Sequence, residues 1–321
     1  MDKFMKKIES PLSVLFASGL TLFLFWLTAQ QIPLVSLLCL VPLTTLWVSL
    51  GALPAVIGLG LTVGGAVFLL GGEFALLQTP QLLAGVVSLS ILMRNRRPLF
   101  HEIVLPALLM TSAVFVSYLL LQKLYDVHVF AEMGKTMHRV AQEAAELLRE
   151  QTGMPAGEEM KMNIQTYLNA LLQVIPGITF SLSLITVLGS SVFSHWILHR
   201  TDPEISPFAL NQLRMPRAFS VFLLLVLLIA YFLPVDSGGF LILSANIIVI
   251  AISLFVLNGL GAMDRALIRK KAPFVGRIVL EAALLTVLVM PGMIVLLIMG
   301  IIDSGRREKA KTGFGGDSNE K

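Results

Sequence analysis

Two histidines that stand four residues apart are the first groups in this sequence that suggest chemistry. On a helix, His195 and His199 share one face, where two imidazoles can bind a metal ion or a haem. A metal site needs further ligands, but no HExxH pattern is present, and Asp202 and Glu204 lie beyond a predicted helix end. We therefore predict neither a metal site nor a bound cofactor.

Polar side chains inside apolar runs are stronger candidates, because such groups are costly in lipid. Asn246 and Asn258 lie in one apolar run, and Glu281 opens the last run, one helical turn after Arg277. Interhelical hydrogen bonds of the amides, and an ion pair of Glu281 with Arg277, explain these residues without a ligand. An intramembrane polar site is the alternative. No acidic residue is predicted at mid-membrane, which argues against a proton-driven carrier.

The sequence carries no pattern typical of an enzyme. It has no glycine-rich phosphate loop, no Ser/His/Asp set and no paired carboxylates in a soluble segment. The single cysteine, Cys39, lies in an apolar run and excludes an intramolecular disulfide. We predict that the protein is not an enzyme and has no catalytic residue.

The composition places these residues in a membrane protein. Of 321 residues, 56% are hydrophobic and only 14% are charged, with a mean hydropathy of +0.83. Soluble domains carry about 25% charged residues. The net charge of +4 comes from short basic clusters between apolar runs, a pattern that encodes membrane orientation. The expected partner is therefore the lipid bilayer, and nucleic acid is not expected.

Apolar windows predict an all-α bundle of about eight or nine transmembrane helices, because a segment in lipid must satisfy its own backbone hydrogen bonds. The windows are residues 11–29, 33–50, 53–71, 76–93, 102–121, 167–194, 217–234, 239–260 and 279–302. They divide the chain into a five-span N-terminal bundle, an external amphipathic segment, C-terminal spans and a flexible polar tail. The respective ranges are 1–121, 122–166, 167–304 and 305–321.

Basic clusters predict that the N-terminus is cytoplasmic. Three lysines precede the first span, which runs to Ala29 without a cleavage site and is therefore an uncleaved helix. The clusters in 94–97, 200–217 and 265–277 then also lie inside. Nine crossings, however, place the basic residues of 306–311 outside. Either that tail is exported, or Pro291 and Gly292 break the last helix into a re-entrant hairpin.

Within 122–166, apolar side chains recur at helical spacing opposite a charged face, which predicts an amphipathic helix outside the bilayer. The apolar positions are Phe130, Met133, Met137, Val140, Ala141, Ala144, Leu147 and Leu148. This helix could cap its own bundle, lie in the headgroup layer or bind a partner.

Small residues repeat every four positions in two predicted spans, which allows close approach of another helix. The first span carries Ser13, Ala17 and Thr21, and the third carries Gly60 and Gly64. These stripes pack within the protein's own bundle or form a docking face for another membrane subunit.

Several motifs in the second half resemble a family pattern. They are Ile175-Pro176-Gly177, His195 to Arg200, Pro203 with Pro207 and Phe208, Leu213 to Arg217, Leu257 to Gly261, and Met299 to Ser304. Together they resemble the YybS-like membrane proteins, a bacterial group of unknown function. The resemblance implies a multi-pass protein of the bacterial cytoplasmic membrane.

The first half more distantly resembles the substrate-binding S-components of energy-coupling-factor vitamin transporters. Those proteins bind a small molecule in a helical bundle and dock on a coupling subunit through small residues of the first helix. The resemblance implies this docking role for Ser13, Ala17 and Thr21. We therefore expect a small-molecule-binding component of a transport system. The alternative is a structural protein of the cell envelope that contacts an envelope protein through its external helix.

Overall fold

The computed structural model describes residues 2–30, 32–152, 166, 168, 170–232, 238–273, 276–277, 279–281, 283 and 289–305. All regular secondary structure in these residues is helical, which confirms the all-α prediction. The α-helices are α1 (Asp2–Ala29), α2 (Val41–Leu50), α3 (Ala52–Leu70), α4 (Gly72–Arg94), α5 (Leu99–Tyr125), α6 (Val129–Thr152), α7 (Ile175–Thr201), α8 (Arg217–Phe232), α9 (Gly238–Arg269) and α10 (Val289–Gly305). Short 3-10 helices cover Pro33–Leu38 and Leu210–Gln212.

Six helical segments in the described part of the chain are long and apolar enough to cross a bilayer. They are Pro11–Ala29, Ala52–Leu70, Gly72–Arg94, Leu99–Tyr125, Ile175–Thr201 and Ile242–Arg269. Three shorter apolar helices, Val35–Leu50, Arg217–Ala230 and Met290–Gly305, fall in the remaining predicted windows. The chain is therefore a polytopic helical bundle, whose large exposed apolar surface faces lipid.

The second predicted window is a broken helix. The 3-10 helix begins at Pro33, and α2 begins at Val41 with Pro42 in its first turn, so each proline starts a new helix where its missing N–H costs nothing. With ten residues, α2 is only about 15 Å long, half the thickness of the hydrocarbon core.

This broken helix lies deep in the bundle. The Ser190 hydroxyl of α7 donates to the Leu37 carbonyl at 2.7 Å. Ser190 stands about 22 Å along α7 from its first residue, at the 1.5 Å rise of a helix. Leu40 and Leu43 are fully buried. Irregular backbone at membrane depth is thus enclosed by protein, as the bilayer requires.

One end of the bundle collects the charged connections, and we call it the basic end. It comprises the turn between α4 and α5, the connection between α7 and α8, and the end of α9. Arg96 pairs with Glu204 at 3.6 Å, and the Arg265 guanidinium donates to the carbonyls of Asn211 and Leu213 at 2.9 and 2.8 Å. These contacts place the three regions side by side.

The last predicted window begins and ends at the basic end. Arg277 pairs with Asp264 at 2.6 Å, and Asp303 pairs with Arg265 at 2.5 Å. A straight helix from residue 277 to residue 303 would be about 39 Å long, yet its two ends meet adjacent residues of α9. The interpretation of 279–302 as one further crossing is therefore wrong, and the re-entrant alternative fits. Pro291 and Gly292, however, do not break the helix as expected, because both lie inside α10. The predicted flexible tail lies outside the described residues, except for Gly305.

The predicted amphipathic helix is present as α6, although its continuation beyond Thr152 lies outside the described residues. It follows Asp126, which ends α5 in the left-handed conformation. The ring of Phe130 packs edge-on against that of Tyr118 in α5, with centroids 5.6 Å apart. Phe130 and Val140 are each half exposed, so part of the apolar face has no cover from the bundle.

Candidate functional site

A cavity of about 270 Å³ opens where the broken helix meets α1, α4, α5 and α7, in the half of the bundle away from the basic end. We call it the central cavity, because five segments of the chain line it. Its polar lining is contributed by Thr28, Ser36, Cys39, Gln78, Gln81, Tyr118, Thr179, Ser183 and Thr186. Apolar lining comes from Phe25, Leu40, Leu77, Leu82, Met110, Val114 and Leu182. No charged side chain is among these lining residues, so the cavity suits a neutral molecule with both polar and apolar parts.

The two glutamines give the cavity a preformed polar edge. The Gln81 amide donates to the Gln78 side-chain oxygen at 2.5 Å, one turn earlier on α4. On the facing wall, the Thr28 hydroxyl donates to the Leu24 carbonyl at 2.9 Å, and the Cys39 thiol lies 3.7 Å from Thr28. Hydroxyl oxygens and the amide groups retain further hydrogen-bonding capacity for a ligand.

A buried carboxylate lies nearer the basic end. Glu102 stands in the first turn of α5, where the helix dipole favours a negative charge, and only 2% of its surface is exposed. Its Oε1 atom accepts a hydrogen bond from the Ser191 hydroxyl at 2.5 Å and lies 3.0 Å from Nε2 of His195. Ser191 and His195 are one turn apart on α7 and therefore reach the same carboxylate.

The histidines hold the connection between α7 and α8. Nδ1 of His195 lies 3.0 Å from the Ser206 carbonyl, and Nδ1 of His199 lies 2.7 Å from the Ile205 carbonyl. A carbonyl oxygen only accepts, so both Nδ1 atoms carry hydrogen. No group of three potential metal-binding side chains occurs within the described ranges. The pair thus fixes a loop instead of presenting two free imidazoles.

The two asparagines of α9 bind backbone groups of neighbouring segments. Asn246 accepts from the Gly177 amide at 2.7 Å and donates to the Gln173 carbonyl at 2.8 Å. Asn258 accepts from the Met215 amide at 3.0 Å and donates to the Gly300 carbonyl at 2.8 Å. These bonds occupy both ends of each amide, so the amides lock helix positions.

Glu281 does not join the asparagines. It is buried near the basic end, and its Oε1 atom has no hydrogen-bond partner. Arg277, which we expected to pair with Glu281, pairs with Asp264 on α9 at 2.6 Å. Asn246, Asn258 and Glu281 therefore contact three different sets of groups and do not line the central cavity.

The two small-residue stripes differ in environment. Ala17 and Thr21 are buried within the bundle, with Ser13 half-buried beside them. Gly60 and Gly64 are exposed, and a methyl group added at either would meet open space. Of these two stripes, only the one formed by Gly60 and Gly64 is exposed on the surface of the bundle. The docking role of both stripes stays a prediction.

Comparison with known proteins identifies the family. The chain matches DUF2232, described as a predicted membrane protein, over residues 19–304. It belongs to this family. The residues of the chain that match this family include Glu102, His195 and all those that line the central cavity. No curated protein and no solved structure matches the chain.

Sequence reasoning missed Glu102 in this DUF2232 protein. A carboxylate one turn into an apolar run resembles an interfacial residue, and its partners lie about ninety residues later in the chain. One signal was present: Ser191 and His195 form a polar face with Ser194 in an otherwise apolar helix.

Proposed function

We propose that this DUF2232 protein is a small-molecule-binding component of a transport system in the bacterial cytoplasmic membrane. The observation that carries the proposal is the central cavity at the break between the 3-10 helix and α2. In transporters, binding sites are commonly formed where membrane helices are interrupted, because the freed backbone groups and nearby side chains can bind substrate.

The proposed ligand is a neutral, partly apolar small molecule. A charged ligand would need a counter-charge in this low-dielectric region, and the lining residues contain none. Hydroxyl groups and the Gln78–Gln81 pair supply donors and acceptors on one side, while leucine, phenylalanine and valine side chains cover the other. This chemistry is compatible with the proposed distant similarity to vitamin-binding S-components.

The proposal includes no catalytic step. In a serine hydrolase, the histidine lies between the serine and the carboxylate and removes the serine proton. Here Glu102 lies between Ser191 and His195, and the Ser191 hydroxyl donates to the carboxylate. This order of groups does not activate a nucleophile, which supports a protein that is not an enzyme.

The proposed orientation has the N-terminus and the basic end in the cytoplasm. The return of residue 303 to the basic end supports it, because the basic tail then leaves on the same side as Arg96 and Arg265. All basic clusters are thereby compatible with the positive-inside rule.

The test is purification of the tagged protein from its native bacterium in mild detergent, with mass spectrometry of co-purified small molecules and proteins. Ser183→Leu fills the cavity, and Gln81→Leu removes an amide at similar volume. Ser112→Leu is the matched control, because Ser112 is exposed on α5. We expect one stoichiometric metabolite with the wild type and Ser112→Leu, and at least tenfold less with the cavity variants. Equal retention by all forms would contradict the proposal.

A second candidate is a structural role through α6. The half-exposed Phe130 and Val140 favour it, because an uncovered apolar face can bind another protein. Val140→Glu should then remove co-purified envelope proteins, while Ser183→Leu leaves them in place. That pattern, without any bound metabolite, would favour the structural role.

A further inference from the structure

We propose that Glu102 and His195 form a proton-binding site that exchanges one proton with the solution at the basic end. Neither residue lines the central cavity, and the site needs no other ligand. Its existence is independent of the proposed small-molecule binding. Its coupling to the cavity, argued below, rests on that proposed function.

The contact geometry specifies a proton. Nε2 of His195 and Oε1 of Glu102 are 3.0 Å apart, the length of one direct hydrogen bond. A metal ion placed between them would need both distances near 2 Å and additional ligands. Within the described part of the chain, no third acidic, histidine or cysteine group completes such a set.

Two protonation states satisfy this hydrogen bond, and both contain the same number of protons. His195 keeps a hydrogen on Nδ1, because that atom faces the Ser206 carbonyl. The bridging proton then lies on Nε2, opposite a carboxylate, or on Glu102, opposite a neutral imidazole. The pair is neutral overall in both states. Removal of the bridging proton leaves a single buried negative charge facing a lone pair.

No other buried cation in the described part of the chain compensates that charge. At the basic end the charged groups around the pair are exposed: Arg94, Arg96 and Arg97 by α4, Arg200, Asp202 and Glu204 after α7, and Arg214 and Arg217 before α8. On α9, which packs against α7, the largely buried Arg265 is paired with Asp303, and the buried Asp264 is paired with Arg277. His101 beside Glu102 is exposed, and the half-buried His199 contacts Ile205. Segment α2 has no titratable side chain. The proton is therefore the principal compensating charge, since the Ser191 hydroxyl contributes only a dipole.

The connection between α7 and α8 provides the route to solution. Ser206 is exposed, whereas the side chain of His195 is only 9% exposed. When the bridging proton leaves, the buried negative charge favours hydration of Glu102, and water reaches it where the 205–206 backbone covers His195. Proton release therefore loosens this connection, and proton binding closes it.

The site is linked to the central cavity through α7. The cavity-lining Thr186 and the bonded Ser191 are five residues apart, about 8 Å along the helix. Between them, Ser190 binds the Leu37 carbonyl of the broken helix, next to cavity residue Ser36. Movement of α7 on proton release would displace the cavity wall. If small-molecule binding is correct, the proton is the coupling ion, contrary to the sequence-based argument against a proton-driven carrier, which did not include the buried Glu102.

The test compares proton titrations of the purified protein and Glu102→Gln in weakly buffered detergent solution. A glutamine oxygen at the position of Oε1 can still accept from Ser191, and the side chain is neutral, as the proton-loaded pair is. We expect the wild type to release one more proton per molecule than the variant over the pH range in which the folded protein is stable. Glu204→Gln, which removes an exposed carboxylate at the same end, should retain this release. Identical curves for wild type and Glu102→Gln would overturn the site.

A measurement on the wild type covers the case in which Glu102→Gln does not fold. In ¹⁵N-histidine spectra, Nε2 of His195 should change with pH over the same step, while Nδ1 stays protonated. A constant Nε2 signal would overturn the proposal as well.

Coupling to the cavity is measured separately through the native thiol Cys39, which lines the cavity. At each pH, the alkylation rate of Cys39 in the wild type is divided by the rate in Glu102→Gln. This ratio should differ at least threefold between a pH below the proton step and a pH above it. A proton step with a constant ratio would refute the coupling but leave the proton site intact. Loss of metabolite binding alone would affect only the proposed function.

Discussion

The closest helix crossing allows a quantitative test of the fold. Gly300 of α10 packs against α9 so tightly that an added Cβ would overlap the Phe255 carbonyl oxygen. The Gly300 carbonyl also accepts from the Asn258 amide at 2.8 Å. Gly300→Ala must therefore separate the two backbones, because neither clashing group can rotate away.

Two costs add at this position. Overpacking typically destabilises by about 1 to 3 kcal/mol. A weakened hydrogen bond from Asn258 adds about 1 kcal/mol. The total of about 2 to 4 kcal/mol corresponds to a decrease in unfolding temperature of roughly 5 to 10 °C. Gly64→Ala is the matched control: nothing lies within 4 Å of its added methyl group, and alanine favours the helix by up to about 1 kcal/mol.

The assay is thermal unfolding of both variants in the same detergent, followed by the fraction that stays monodisperse after heating. We expect Gly300→Ala to unfold well below the wild type and Gly64→Ala to unfold at or slightly above it. Equal unfolding temperatures for the two variants would show that α9 and α10 do not cross where the structure places them.

Three further predictions concern the polar contacts and the topology. Asn246→Ala leaves a buried amide and a buried carbonyl without partners and should lower stability by about 2 to 3 kcal/mol in denaturant titrations; a loss below about 0.5 kcal/mol would contradict this. Arg265→Met leaves the half-buried Asp303 without its ion pair, so limited proteolysis should cut near residue 303 faster than in Arg269→Met, and equal rates would refute the role of the pair. Single cysteines at 96 and 306 should be labelled from the same side of the membrane, and a cysteine at 145 from the other; labelling of 96 and 306 from opposite sides would refute the re-entrant segment.

The sequence was sufficient to predict the helical class and most helix positions. Apolar runs of bilayer length and the prolines at 33 and 42 have local physical causes, so local patterns reveal them. The same patterns did not show that 33–50 is broken at membrane depth. Hydropathy measures the mean polarity of a window, and a broken helix enclosed by α4 and α7 has the same mean polarity as a continuous one.

The candidate sites depended on contacts between distant residues. Glu102 resembles an interfacial residue until Ser191 and His195 are placed beside it. Likewise, nothing in the turn that holds Arg277 and Glu281 reveals that Arg277 also pairs with Asp264 on α9. Propensity and periodicity describe neighbours along one helix, whereas these pairings follow from how separate helices pack.

The contacts at the end of α9 also determine an order of membrane insertion. Asp264 and Arg265 are synthesised before their partners Arg277 and Asp303. While α9 leaves the translocon, both charges must stay hydrated, which holds this end of the helix at the water interface. The pair of Asp264 with Arg277 can form first, whereas the pair of Arg265 with Asp303 can form only when the following segment has entered and returned. The segment after α9 therefore completes a bundle whose earlier helices are already in the membrane. Truncated variants that lack this segment should be inserted into the membrane but should not assemble completely.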